Sequence, residues 1–229
     1  MKVFGPKWVE YHQKIQSNWQ NVVSKDDLVL IPGDISWAMK LEEAMIDLAF
    51  IDSLNGTKVL IRGNHDYWWP SLAKLQKLPF STLHYIHNNA LLINGIGLCG
   101  SRLWDSDEFS FKEYTQYVDN PKAKPKEPVD NQKIFDAELK RLELSMSQLS
   151  NEAKIKIALV HYPPIGKDLK ETKASHLFEA AGISHVCFGH LHNLKKSPNP
   201  YGTARGVTYH FVAADEVDFT PQLILDTSN

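Results

Sequence analysis

Apolar residues recur along this chain in two rhythms. Over residues 7–23, Trp8, Tyr11, Ile15, Trp19, Val22 and Val23 return at three- and four-residue spacings, which predicts an amphipathic helix. Over residues 37–54, Leu41, Ala44, Met45, Leu48, Ile51 and Leu54 do the same, and Asn55-Gly56 ends the pattern. Between them Leu28-Val29-Leu30-Ile31 is an unbroken apolar run, and Lys58-Val59-Leu60-Ile61 is the next. Short runs of this kind predict parallel strands buried on both faces. The order strand, helix, strand is a βαβ unit, whose crossover should be right-handed.

The same reading continues to the end. A short helix is expected over 71–78. Strands are expected over 83–86, 91–93 and 96–100, with Asn/Gly turns between them. Residues 119–131 contain three prolines and almost nothing apolar before Val129, so they read as a surface loop or lid. A helix over 132–149, a strand over 155–160, a helix over 173–181 and a strand over 185–188 follow. Strands over 209–215 and 221–225 complete the sheet. No internal repeat or domain boundary interrupts the pattern, so residues 1–229 read as a single α/β domain.

Composition narrows the functional classes. The 229 residues are 43% hydrophobic and 23% charged, with a formal net charge of −2. That is ample for a core and gives no basic field pointing to nucleic acid. Cys99 and Cys187 lie in apolar contexts (GLCG and HVCFG) and are expected as buried thiols of a reducing, cytoplasmic compartment. No apolar run is long enough to span a bilayer, and the opening "MKVFGPKWVE" lacks the apolar stretch of a signal peptide.

The polar residues carry the chemistry. Strand 28–31 runs into Gly33-Asp34, strand 58–61 into Asn64-His65-Asp66, strand 155–160 into His161, and strand 185–188 into Gly189-His190-Leu191-His192. Parallel strands present their carboxyl ends on one edge of a sheet, where sites form. The four clusters are therefore expected to converge. A carboxylate, an amide oxygen and imidazoles form a mixed O/N donor set. Such a set suits paired ions roughly 3.5–4 Å apart, which clamp phosphate oxygens and activate water. His65 directly follows Asn64 and is better placed to protonate a leaving group than to share its ion. Asp66 is expected to orient that imidazole. Arg102, in "GSRLW", is a candidate for a substrate phosphate, and Arg62 for support behind the cluster. Trp68 and Trp69 read either as pocket wall or as core.

The segments "PGDISW", "RGNHDYWW", "LVHYPP" and "FGHLH" resemble, in order, the signature of the calcineurin-like metallophosphoesterases. Within that family the chain also resembles a bacterial subgroup of phosphatases or phosphohydrolases of unclear substrate. The resemblance implies a four-layer α/β/β/α sandwich. It implies hydrolysis of a phosphorylated substrate by a metal-bound hydroxide at a dinuclear site of Mn, Fe, Zn or Ni type. Carried over position by position, Asp34, Asn64, His161 and His190 complete one metal site, and the bridging Asp34 with His192 makes up what is left of the second. No D-x-H precedes Asp34, so the sequence reads as lacking the family's first strand, and as truncated at its start rather than as a natural one-metal variant. The alternative is a metal-impaired pseudo-enzyme or binding protein that keeps the scaffold and holds one ion.

Overall fold

A computed structural model describes residues 5–114, 130–195 and 201–227. A 3₁₀ turn, Pro6–Trp8, precedes helix α1, Tyr11–Val22. Strand β1, Leu28–Ile31, helix α2, Leu41–Ser53, and strand β2, Thr57–Ile61, form the expected βαβ unit. β1 and β2 pair in parallel, Leu28 opposite Thr57. Helix α3 is Leu72–Leu75, and strand β3, Leu83–Ile86, pairs in parallel on the other side of β2.

The second sheet contains six strands among the described residues, in the order β4-β5-β6-β7-β9-β8. These are β4 Leu91–Ile93, β5 Ile96–Ser101, β6 Ile155–Val160, β7 His185–Phe188, β8 Thr203–Ala204 and β9 Val207–Phe211. Its centre is parallel; β4 and β8 are antiparallel hairpin partners on its edges. Helix α4, Asn131–Met146, starts where the Asp130 side chain accepts from Lys133 N at 3.0 Å. Helix α5, Lys173–Ala181, opens on a Thr172/Ser175 capping box and stops at left-handed Gly182.

Alternation along the strands sorts their side chains into layers. Leu60 joins Ala44 and Leu48 of α2 and Leu75 of α3, whereas Val59 and Ile61 face Leu98, Ile157, Leu159 and Cys187 of the second sheet. The opposite face of that sheet, with Ala158, Val160, Val186 and Phe188, is covered by Leu142 of α4 and Phe178 of α5. Two sheets packed together between helices make the expected four-layer order. Trp68 and Trp69 fall in the α2–α3 core and do not wall the site. Both cysteines are buried and unpaired, and burial pushes each thiol up to about 12. Among the described residues no helix is long and apolar enough to cross a membrane.

Three expectations change. The expected strand 209–215 ends at Phe211, because the chain turns at Ala213 and Ala214 to deliver Asp215. Most of the predicted loop 119–131 lies outside the described residues, while Asp130 and Asn131 belong to the start of α4. Residues 221–225 form no strand, and Leu223 is 83% exposed. Among the described residues β1 pairs with β2 alone, and its other edge faces a crevice of about 1560 Å³. α1 and residues 221–227 line that crevice, which opens at one end onto Asp34 and His192.

Candidate metal centre

The carboxyl ends of β1, β2, β6 and β7 meet as anticipated. Asp34 follows β1 through Gly33, and both adopt left-handed backbone, φ +56° and +90°. The loops touch: a Cβ on Gly63 would lie 2.1 Å from Asp34 Oδ1 and 2.2 Å from Asp34 N. Only glycine lets the β2 loop pass so near the carboxylate. His190 is also left-handed, φ +69°. Non-glycine residues held in that region cost of order 1–3 kcal/mol each and gather where function fixes the chain.

Four donor atoms converge. His161 Nδ1 lies 2.8 Å from the Pro32 carbonyl, which can only accept, so Nδ1 carries the proton. In that tautomer Nε2 is a lone pair. It faces Asn64 Oδ1 at 2.8 Å, Asp34 Oδ1 at 3.4 Å and His190 Nδ1 at 3.2 Å. His190 Nδ1 in turn is 3.1 Å from Asn64 Oδ1. A proton on His161 would relieve one or two of these contacts; a cation at the centre would satisfy all four. Bonds of ~2.1 Å at tetrahedral or octahedral angles set neighbouring donors ~3.0–3.4 Å apart, close to the spacing found. Counted by His, Cys, Asp and Glu alone, the described residues hold no group of three or more shaped for an ion; the Asn64 amide stands outside that count and joins the others.

The electrostatics agree with a centre that wants positive charge. Burial would raise the Asp34 carboxyl, but a proton on His161 Nε2, by its hydrogen bond and charge, together with the His65 N–H, brings it down from 3.8 to about 2. Burial first, and then His161, push His190 from 6.5 to about 3, so its ring is neutral and able to coordinate.

His192 is near this group, but its Nδ1 is bound to Asp215 Oδ1 at 2.6 Å, and Asn193 N donates to Asp215 Oδ2 at 3.1 Å. Asp215 is fully enclosed; burial would raise its carboxyl, and His192 and the Asn193 N–H hold it below the usual value. A carboxylate on the far nitrogen of an imidazole is the usual support of a metal-binding histidine. The sequence reading missed Asp215. The available signal was that β9, like β1, runs through small residues into an acid.

Asp66 is not where it was expected. Its carboxylate accepts from Asp34 N, Ile35 N and Ser36 N at 2.9, 2.9 and 3.0 Å, from Gly63 N at 2.7 Å, and from Trp68 Nε1 at 3.1 Å. Burial raises its pKa, but five N–H donors require the acceptor-only form. It knots the loop after β1 to the loop after β2 and does not orient His65. The His65 ring instead stacks on Trp37 at 4.2 Å, and its Nδ1 is 3.3 Å from the Tyr67 hydroxyl. Arg102 binds Glu138 at 3.0 Å, and the Arg62 Nε donates to the Asp66 carbonyl at 3.2 Å.

Two packed sheets bring carboxylate, amide and imidazole groups together at the strand ends, and the comparison by sequence says which family carries them. Residues 6–194 match the family model for calcineurin-like phosphoesterases, and the chain belongs to that family, whose chemistry is in general metal-dependent phosphoester hydrolysis. No curated protein matches the chain.

Proposed function

We propose that the protein is a metal-dependent phosphoester hydrolase whose principal ion is held by Asp34, Asn64, His161 and His190. The observation that carries this reading is the set of four contacts of 2.8–3.4 Å among those donor atoms, three of them made by His161 Nε2. A bound divalent ion would supply Lewis acidity and lower the pKa of a water; the mixed donor set suits manganese, iron, zinc or nickel. The chain's own residues do the rest. Asp34, whose Oδ1 lies 3.4 Å from His161 Nε2, would supply a carboxylate oxygen to the ion. Asp215 fixes the tautomer of His192, turning its other nitrogen outward as the remaining protein donor of a second position. His65, held between Trp37 and Tyr67 and anchored by its backbone on Asp34, gives a proton to the departing oxygen.

The test is turnover of an aryl phosphate ester with added manganese, measured beside metal content by atomic absorption. His65→Gln should lose about 10²-fold in turnover with ion content unchanged. His161→Ala should lose the ion and the activity together. Full activity in His65→Gln removes the proton-donor role, and unchanged ion content in His161→Ala removes the proposed centre. The scaffold-keeping binding protein is the outcome in which the wild-type chain retains its ion yet hydrolyses nothing.

A further inference from the structure

The edge that carries the metal donors also carries a second polar hollow. Arg62 follows β2, His87 follows β3, Arg102 follows β5, and Glu138 and Arg141 lie one turn apart on α4. They enclose about 170 Å³, room for roughly five waters at ~30 Å³ each. That is enough for one tetrahedral oxyanion and too little for a nucleoside.

The charge in this hollow does not balance. Glu138 accepts from Arg102 at 3.0 Å and lies 3.8 Å from Arg141 Nε. Among the described residues Arg62 donates to a backbone carbonyl, that of Asp66, and to no carboxylate. Three guanidiniums thus share one carboxylate. Even counting the charge of Asp66, which Arg62 feels through the loop, at least one positive charge is left over. Arg102 Nε is buried with no hydrogen-bond partner, and buried donors of this kind normally have one. His87 accepts from Trp69 Nε1, and burial with Arg141 and Arg62 nearby lowers its pKa, so it adds no further charge. An ion-pair network serving only stability would match its charges; here Arg102 lies over the Trp104 ring at 4.6 Å and Arg141 Nη1 donates to Asn88 Oδ1 at 3.4 Å, neutral partners that leave the excess charge in place.

We propose that this hollow is an oxyanion site that takes a phosphate group, gripped by Arg62, Arg102 and Arg141, for two of which the Glu138 carboxylate competes. A phosphate carries about −1.5 to −2 charge at neutral pH, which offsets the excess, and guanidinium forks bind such oxygens in pairs. The Arg102 carbonyl accepts from His161 N and Tyr162 N at 3.1 and 3.0 Å, so an anion here sits one residue from a metal donor. Its source is either free orthophosphate or a second phosphoryl group on the hydrolysed molecule. The site itself stands apart from the hydrolase reading.

The test is a calorimetric titration of inorganic phosphate into the full chain stripped of metal by a chelator. Saturable binding at one site is expected. Arg141, whose side chain is 48% exposed, can be removed without unfolding the protein, and Arg141→Ala should weaken binding about tenfold. Glu138→Gln removes the competing carboxylate and should tighten it, an opposite sign that general damage cannot produce. Absence of saturable binding, or equal binding in the wild type and both variants, overturns the proposal. With manganese present, two aryl phosphate esters identify the source, one of them bearing a second phosphoryl group. A lower KM for the doubly phosphorylated ester that is lost in Arg141→Ala assigns the hollow to the substrate. Equal KM values beside a positive titration assign it to free orthophosphate. If neither ester is turned over, the hydrolase reading fails and the titration still decides the site.

Discussion

Asp66→Ala is expected to lower the thermal unfolding midpoint by about 6–20 °C, although Asp66 neighbours His65 in sequence and its carboxylate binds backbone N–H groups and an indole rather than that ring. The side chain is 0% exposed, and its two oxygens take five N–H groups from two loops and an indole. Truncation strands those donors. A buried donor without a partner costs ~1–3 kcal/mol. Water reaches part of the half-buried 33–35 loop, so a net loss of about 3–5 kcal/mol is expected rather than the full sum. A domain of this size shifts ~2–4 °C per kcal/mol. Asp66→Asn separates the cause: it keeps the volume but turns an NH₂ toward groups that already donate, and should lose nearly as much. Urea unfolding of both variants checks this. A loss under about 1 kcal/mol in Asp66→Asn would mean the cavity, and not the hydrogen bonds, governs the site.

The strand–cluster pattern was legible because both halves of it are local. Strands β6 and β7 and helix α5 fall where periodicity places them, and the residues just past β1, β2, β6 and β7 meet as parallel topology requires. What the sequence hid is long-range. Asp66 and Asp215 look alike as acids after strands, yet one binds backbone and the other an imidazole, and only the loop geometry decides which. Residues 221–225 have the composition of a strand, but a strand needs an edge to pair with, and β1's free edge is across the crevice. Arg102 reads as a lone cation in "GSRLW"; its partners Glu138 and Arg141 come from a helix more than thirty residues on. Charge imbalance in a hollow is a property of the assembled surface.

Acidification should destabilise the metal-free chain well above the range where carboxylates titrate. His190 has an ordinary pKa of 6.5 and is pushed to about 3 in the fold, by burial first and by His161 second. Between those values the unfolded chain takes up a proton that the folded chain refuses. The unfolded state therefore binds more protons, and stability falls as pH falls. At ~1.4 kcal/mol for each pH unit of separation, the full shift sets an upper bound of about 4–5 kcal/mol. The ring keeps some contact with solvent, so about 2–3 kcal/mol is expected. Burial also lowers His87, His185 and His210, which adds to the same slope. Asp34 works in the same direction but later: its stabilisation is present above 3.8 and is lost only as pH drops toward about 2. Urea unfolding between pH 7.5 and 4 thus isolates the histidines. His190→Gln should remove its share and flatten the slope, leaving the part due to the other three rings. Parallel slopes in wild type and variant would show that His190 already accepts a proton in the folded chain, which contradicts the neutral, ion-ready imidazole on which the metal centre depends.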